Sequence, residues 1–172
     1  MIEMEKSLFL GCTIPGRIPF VEKSAKVVCD DLGINTKVLS GFSCCPDPVG
    51  INALDKDSWL AAAGRNLCVA EDEGKPIMTL CTGCAMTLKV ADHDLKHSHH
   101  DKEKVNKALS TVGKEFKGSL DNIKHMAQVL YDEVGVSKIK EMVKKPLSGL
   151  KVALHYGCHF LRPSEVIHRK YA

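Results

Sequence analysis

Eight cysteines, at positions 12, 29, 44, 45, 68, 81, 84 and 158, stand out in a chain of 172 residues. Thiolates are soft donors that suit zinc and iron–sulfur clusters above other metals. The motif Cys81-Thr82-Gly83-Cys84 supplies two ligands at close range. Alone it fits half of a tetrahedral zinc site, a redox dithiol or part of an iron–sulfur site. Cys44 and Cys45 are adjacent, and a disulfide between neighbours is strained. Neighbouring thiols reach two metal ions, or one of them bridges, more readily than both complete a single tetrahedron. Cys12, Cys44, Cys45, Cys81 and Cys84 therefore fit a polynuclear centre better than one zinc ion, with zinc and metal-free redox thiols as the other options. Cys29 and Cys68 sit beside apolar helical stripes and read as small core residues.

These cysteines need elements to gather them. The pattern alternates strands with helices, which argues for an α/β fold with a short, mainly parallel sheet flanked by helices. Residues 7–10, 36–39, 76–80 and 150–154 read as strands. Helices are expected over 19–32, closed by Gly33, and from a cap at Asp57 or Ser58 to Gly74. A third helix opens at the CxxC, with Cys84, Leu88, Ala91 and Leu95 on one face, and a short one lies around 105–112. Residues 123–134 and 136–143 read as two more, broken at Gly135. Each expected strand runs into a cysteine: Cys12, the Cys44-Cys45 pair, Cys81 and Cys158. Ligands collect outside the carboxyl ends of the strands in open parallel sheets, so three short turns should bring Cys12, Cys44, Cys45, Cys81 and Cys84 to one edge.

Composition bounds the alternatives. Apolar residues make up 44% and charged ones 26%, a globular balance, and the net charge of +3 is interleaved and gives no reason to expect nucleic acid. No apolar run approaches the roughly 20 residues of a bilayer span. Residues 1–6 precede too few apolar residues for a signal peptide, so a cytoplasmic, reducing setting is expected and a disulfide framework is not. No glycine-rich nucleotide-binding pattern follows a strand. His93, His97 and His100 share a helical face, but acids and lysines surround them, as on a solvated helix end. His155 and His159 flank Cys158 and are candidates for orienting a thiol substrate, moving a proton or bonding a cluster sulfur.

The spacing Cys, 31 residues, Cys-Cys, 35 residues, Cys-x-x-Cys resembles a cysteine-rich CCG domain. Four stretches narrow the resemblance: Phe9-Leu10-Gly11-Cys12, Gly41-Phe42-Ser43-Cys44-Cys45-Pro46, the run from Trp59 to Cys68, and Tyr156-Gly157-Cys158-His159-Phe160-Leu161-Arg162-Pro163-Ser164-Glu165. Together they are similar to B subunits of CoB–CoM heterodisulfide reductases of methanogenic archaea. The resemblance implies a noncubane 4Fe–4S cluster on Cys12, Cys44, Cys45, Cys81 and Cys84, and reduction of the CoM-S-S-CoB heterodisulfide to its two thiols. It implies an iron–sulfur C-type partner and a flavoprotein A-type partner, or a membrane cytochrome system through which the chain would be membrane-associated. Residues 1–149 match one repeat, and residues 150–172 match the opening strand and turn of a second, incomplete one that begins with Cys158. Arg162 then becomes a candidate contact for an acidic substrate, with a salt bridge to Glu165 as the ordinary option. Thr82 and Asp47 depart from the family pattern. The other readings are a structural zinc module and an electron-transfer subunit of another CCG-domain oxidoreductase.

Overall fold

The computed structural model describes residues 4–120 and 122–167. Its first half alternates strand and helix: β1 (Met4–Phe9), α1 (Thr13–Arg17), α2 (Pro19–Leu32), β2 (Ile34–Lys37), α3 (Gly50–Leu54), α4 (Lys56–Glu73), β3 (Ile77–Thr79) and α5 (Thr82–His97). Then come α6 (His99–Ser110), β4 (Ile123–His125), α7 (Met126–Val129), a π-helical turn (Leu130–Val134) and α8 (Val136–Met142). A 3-10 turn (Cys158–Phe160) and α9 (Ser164–Ile167) follow. The sheet is four-stranded and parallel throughout, in the order β2-β1-β3-β4. The fold class is α/β, as the alternation of elements indicates.

Side chains alternate across the strands, so the sheet feeds two cores. Leu8, Ile34 and Met78 face α2, through Cys29 and Leu32, and the Val129–Val134 turn. Phe9, Ile77 and Ile123 face α4, α5 and α6, around Trp59, Leu67, Leu88, Leu95 and Phe116. Cys29 and Cys68 are fully enclosed in these cores, the place expected for them. Proline at the first helical position and a left-handed Gly33 at the end delimit α2.

Several boundaries differ from the sequence reading. The helix expected from Asp57 or Ser58 is capped by Asp55, whose carboxylate accepts the Asp57 and Ser58 N–H groups at 3.0 and 3.2 Å. Strand β2 ends at Lys37 instead of residue 39. Residues 123–125, expected to begin a helix, form β4; three residues are too short to show a period-two pattern. The segment 150–154, expected as a strand, has no regular structure, and Leu150, Val152 and Leu154 are exposed. A strand is stable only with a neighbour to accept its hydrogen bonds, and this segment has no ladder partner among the described residues. The fourth strand of the sheet therefore ends at His125, not at a cysteine.

Candidate metal centre: five thiols around one cavity

Three connections deliver the thiols. Strand β1 runs through Leu10 and Gly11 into Cys12, and β3 runs through Leu80 into Cys81, the N-cap of α5. Cys44 and Cys45 lie in the loop between β2 and α3. Cys12, Cys44, Cys45, Cys81 and Cys84 all line one cavity of about 660 Å³, walled by Leu10, Ile14, Ile18, Val21 and Leu80. His159 lines the same cavity. Cys158 is exposed beside α5 and outside the lining; His155 and Arg162 are also outside it and exposed.

The Cys-Cys loop is held from α4. Asn66, fully buried, accepts the Ser43 N–H at 2.8 Å on Oδ1 and donates from Nδ2 to the Cys44 carbonyl at 3.0 Å and the Ala62 carbonyl at 3.1 Å. Arg65 donates to the Gly41 carbonyl at 2.9 Å. Phe42 packs edge-on against Phe9, ring centroids 4.9 Å apart. Thr87 donates to the Pro46 carbonyl at 3.4 Å. Asp47 accepts the Val49 N–H at 3.0 Å and the Gly50 N–H at the start of α3. Sequence reasoning missed Asn66 as a holding residue. A signal for it existed: a polar side chain on the apolar face carrying Ala63, Leu67 and Ala70.

Close approach governs Gly11. Its φ is +68°, and a Cβ there would lie 2.7 Å from Cys84 Sγ, so only glycine lets the first loop pass the second.

The thiols are not equivalent. A hydrogen bond from Cys84, helped by the Gly83 and Cys84 N–H groups and by His159, lowers the Cys81 thiol to about 5 against desolvation. The Cys84 hydrogen bond also holds Cys45 below its ordinary value. Cys84, which donates these bonds, is correspondingly raised, with burial adding to the effect. Burial and the bond to Cys12 push Cys44 up to about 11. Anionic sulfur at a helix start, faced by N–H groups, is what a metal needs from its ligands.

The donor set fits an iron–sulfur cluster. Five thiols, soft donors suited to such a cluster, line one cavity with apolar walls.

The cysteine-rich CCG domain family matches residues 7–89. The chain is 42% identical over 159 residues to the B subunit of the ferredoxin/F(420)H(2)-dependent CoB-CoM heterodisulfide reductase of Methanosarcina acetivorans, a match covering 92% of this chain and 52% of that one. It is equally 42% identical over 159 residues to a protein of Archaeoglobus profundus named for its likeness to the heterodisulfide reductase B subunit, over 92% and 53% of the two chains. Identity to the 8-methylmenaquinol:fumarate reductase membrane anchor subunit of Wolinella succinogenes is 32% over 164 residues, 95% of this chain and 56% of that one. The chain thus spans about half the length of the curated relatives it matches. A hypothetical protein from Helicobacter pylori shares the fold, with a TM-score of 0.59 at 16% identity over 71% of this chain and 25% of that one.

Proposed function

Because the chain belongs to the cysteine-rich CCG-domain family and is similar to heterodisulfide reductase B subunits, we propose that it serves such a reductase by holding a noncubane 4Fe–4S cluster on Cys12, Cys44, Cys45, Cys81 and Cys84. The observation that carries this reading is the convergence of five thiols from three sheet-edge connections on one cavity. When bound, such a cluster supplies single electrons for cleaving a disulfide. The chain's residues do the rest. Asn66 and Arg65 fix the Cys-Cys loop, Gly83 and Cys84 present N–H groups to Cys81, and the apolar wall excludes water.

The substrate we assign is the CoM-S-S-CoB heterodisulfide, reduced to two thiols, with electrons arriving from an iron–sulfur C-type subunit and a flavoprotein A-type subunit or membrane cytochrome system. To His159, which lines the cavity, we assign the meeting of a substrate sulfur. Cys158 we assign to the opening of a second cysteine motif; exposed and outside the cavity, it takes no part in this centre. No helix among the described residues is long and apolar enough to cross a membrane.

A second reading is favoured by the relative named as a fumarate reductase subunit: the same centre would relay electrons without touching a disulfide. Paramagnetic resonance of the oxidised, iron-loaded chain separates the two. Under the disulfide reading, adding coenzyme M or coenzyme B thiol changes the cluster signal, and His159→Ala weakens that change; a signal indifferent to both thiols favours electron relay.

A further inference from the structure

The fold divides the histidines that share a helical period in the sequence. His93 and His97 occupy the last two turns of α5, and Ser98 interrupts the helix before His99 and His100 open α6. The two rings left together are stacked, with centroids 4.2 Å apart and planes 25° from parallel. They sit at the opposite end of α5 from the CxxC and line no part of the thiol cavity.

Each ring turns one nitrogen to the protein. His97 Nδ1 lies 2.7 Å from the His93 carbonyl, which can only accept, so the neutral ring carries its proton there. His93 Nδ1 is buried and lies 3.5 Å from Asp94 Oδ1, a carboxylate that draws the proton of that ring to Nδ1 in the same way. Asp94 is itself held in place. Its Oδ2 meets Lys56 Nζ of α4 at 3.2 Å, and Lys56 also reaches Asp101 of α6 at 3.8 Å. Both neutral rings are then Nδ1–H tautomers with their lone pairs on Nε2. Because both Nδ1 atoms face the helix, stacking sets the two Nε2 atoms side by side on its outer face.

A metal ion requires that arrangement. Histidines one turn apart on a helix reach one ion, and a carbonyl or carboxylate on the other ring nitrogen is the usual support of a ligating imidazole. The carboxyl end of α5 adds the negative pole of the helix dipole, which favours a cation. Among the described residues no third His, Cys, Asp or Glu side chain completes the set, so water fills the remaining positions. We propose that His93 and His97 form a second metal site, taking a divalent ion of the nickel–copper–zinc group through their Nε2 atoms. It stands apart from the cluster reading above and holds whether or not the thiols carry iron.

The test uses nitrogen-15-labelled chain with its thiols occupied first, since free thiolates would compete for the probe ion. Iron and sulfide fill them, or zinc if the chain takes up no iron; that failure would overturn the cluster reading and leave this test intact. Long-range proton–nitrogen correlation should show Nδ1–H tautomers at His93 and His97. Nickel chloride should then broaden those two ring signals ahead of the other histidines. In calorimetry, His97→Ala should weaken the tightest nickel site at least about tenfold, the loss of one arm of a chelate, and His100→Ala should stay within about twofold of the parent. An Nε2–H tautomer at His97, broadening that begins at His99 and His100, or unchanged affinity in His97→Ala overturns the proposal. If His97→Ala fails to fold, the parental spectra decide: first broadening at His93 and His97 supports it, and first broadening elsewhere overturns it.

Discussion

At Cys81 and Cys84 two residues of one turn carry opposite characters, a lowered thiol beside a raised one, because Cys84 donates the hydrogen bonds that Cys81 and Cys45 accept. Placement separates the cysteines: Cys12, Cys44, Cys45, Cys81 and Cys84 line the cavity, whereas Cys29 and Cys68 are enclosed in the cores. Changing any of Cys12, Cys44, Cys45, Cys81 or Cys84 to Ser should lower iron and sulfide per chain after anaerobic loading. Cys29→Ala and Cys68→Ala should keep full loading while costing about 1 kcal/mol in denaturant unfolding, the scale of losing one small buried group. Gly11→Ala should cost about 1–2 kcal/mol, since an L-residue resists φ of +68°, and should displace Cys84 and depress loading. Asn66→Ala strips partners from the part-buried Ser43 N–H and Cys44 carbonyl. Its expected cost, read by urea denaturation, is about 2–4 kcal/mol. The cysteine spacing and the core role of Cys29 were legible in the sequence. Asn66 showed only as a polar side chain on an apolar helix face, and what it and Gly11 hold was not legible, because each acts on a residue far away along the chain.

Among the elements, those with chemical punctuation were read well: α2 begins at Pro19 and stops at Gly33, and α4 stops at Gly74, both glycines left-handed. Where punctuation is absent the reading failed. Strand β4 passes straight into α7 with no turn residue between, and the alternating Leu150, Val152 and Leu154 look like a strand but find no ladder partner among the described residues. The π-helical turn after α7 is clamped to the sheet by charge. Glu133 meets Lys6 of β1 at 2.6 Å and Lys124 of β4 at 3.1 Å, and Asp132 meets Lys124 at 3.1 Å. Burial pushes the Glu133 carboxyl up, but the two lysines outweigh it and hold its pKa below the ordinary value. The unfolded chain therefore binds the proton first. The stabilisation is whole above the ordinary Glu range near 4.5 and is lost as pH falls through the lower folded value. Glu133→Gln should cost about 2 kcal/mol at pH 7 in denaturant unfolding and flatten the acid limb of the stability curve.

At the scale of the whole molecule, a four-stranded parallel sheet with both faces covered leaves its carboxyl edge to the connections, and three of these supply the cysteines. The logic of the parallel sheet made that gathering readable from the sequence; the cavity's fourth side, the turn with His159 resting on α5 and His125, depended on packing that no local pattern encodes. Under the proposed reading, ligands drawn from distant segments would make cluster binding a folding term, because the unfolded chain has no such cavity. Anaerobically loaded chain should thus melt higher than the metal-free form, and a chelator should remove the difference. The most direct test of the account is iron, zinc and acid-labile sulfide per chain on protein purified without oxygen. The account predicts close to four irons and four sulfides per chain, as the assigned 4Fe–4S type requires, and little zinc. One zinc without sulfide would contradict it and make the five cysteines a folding site.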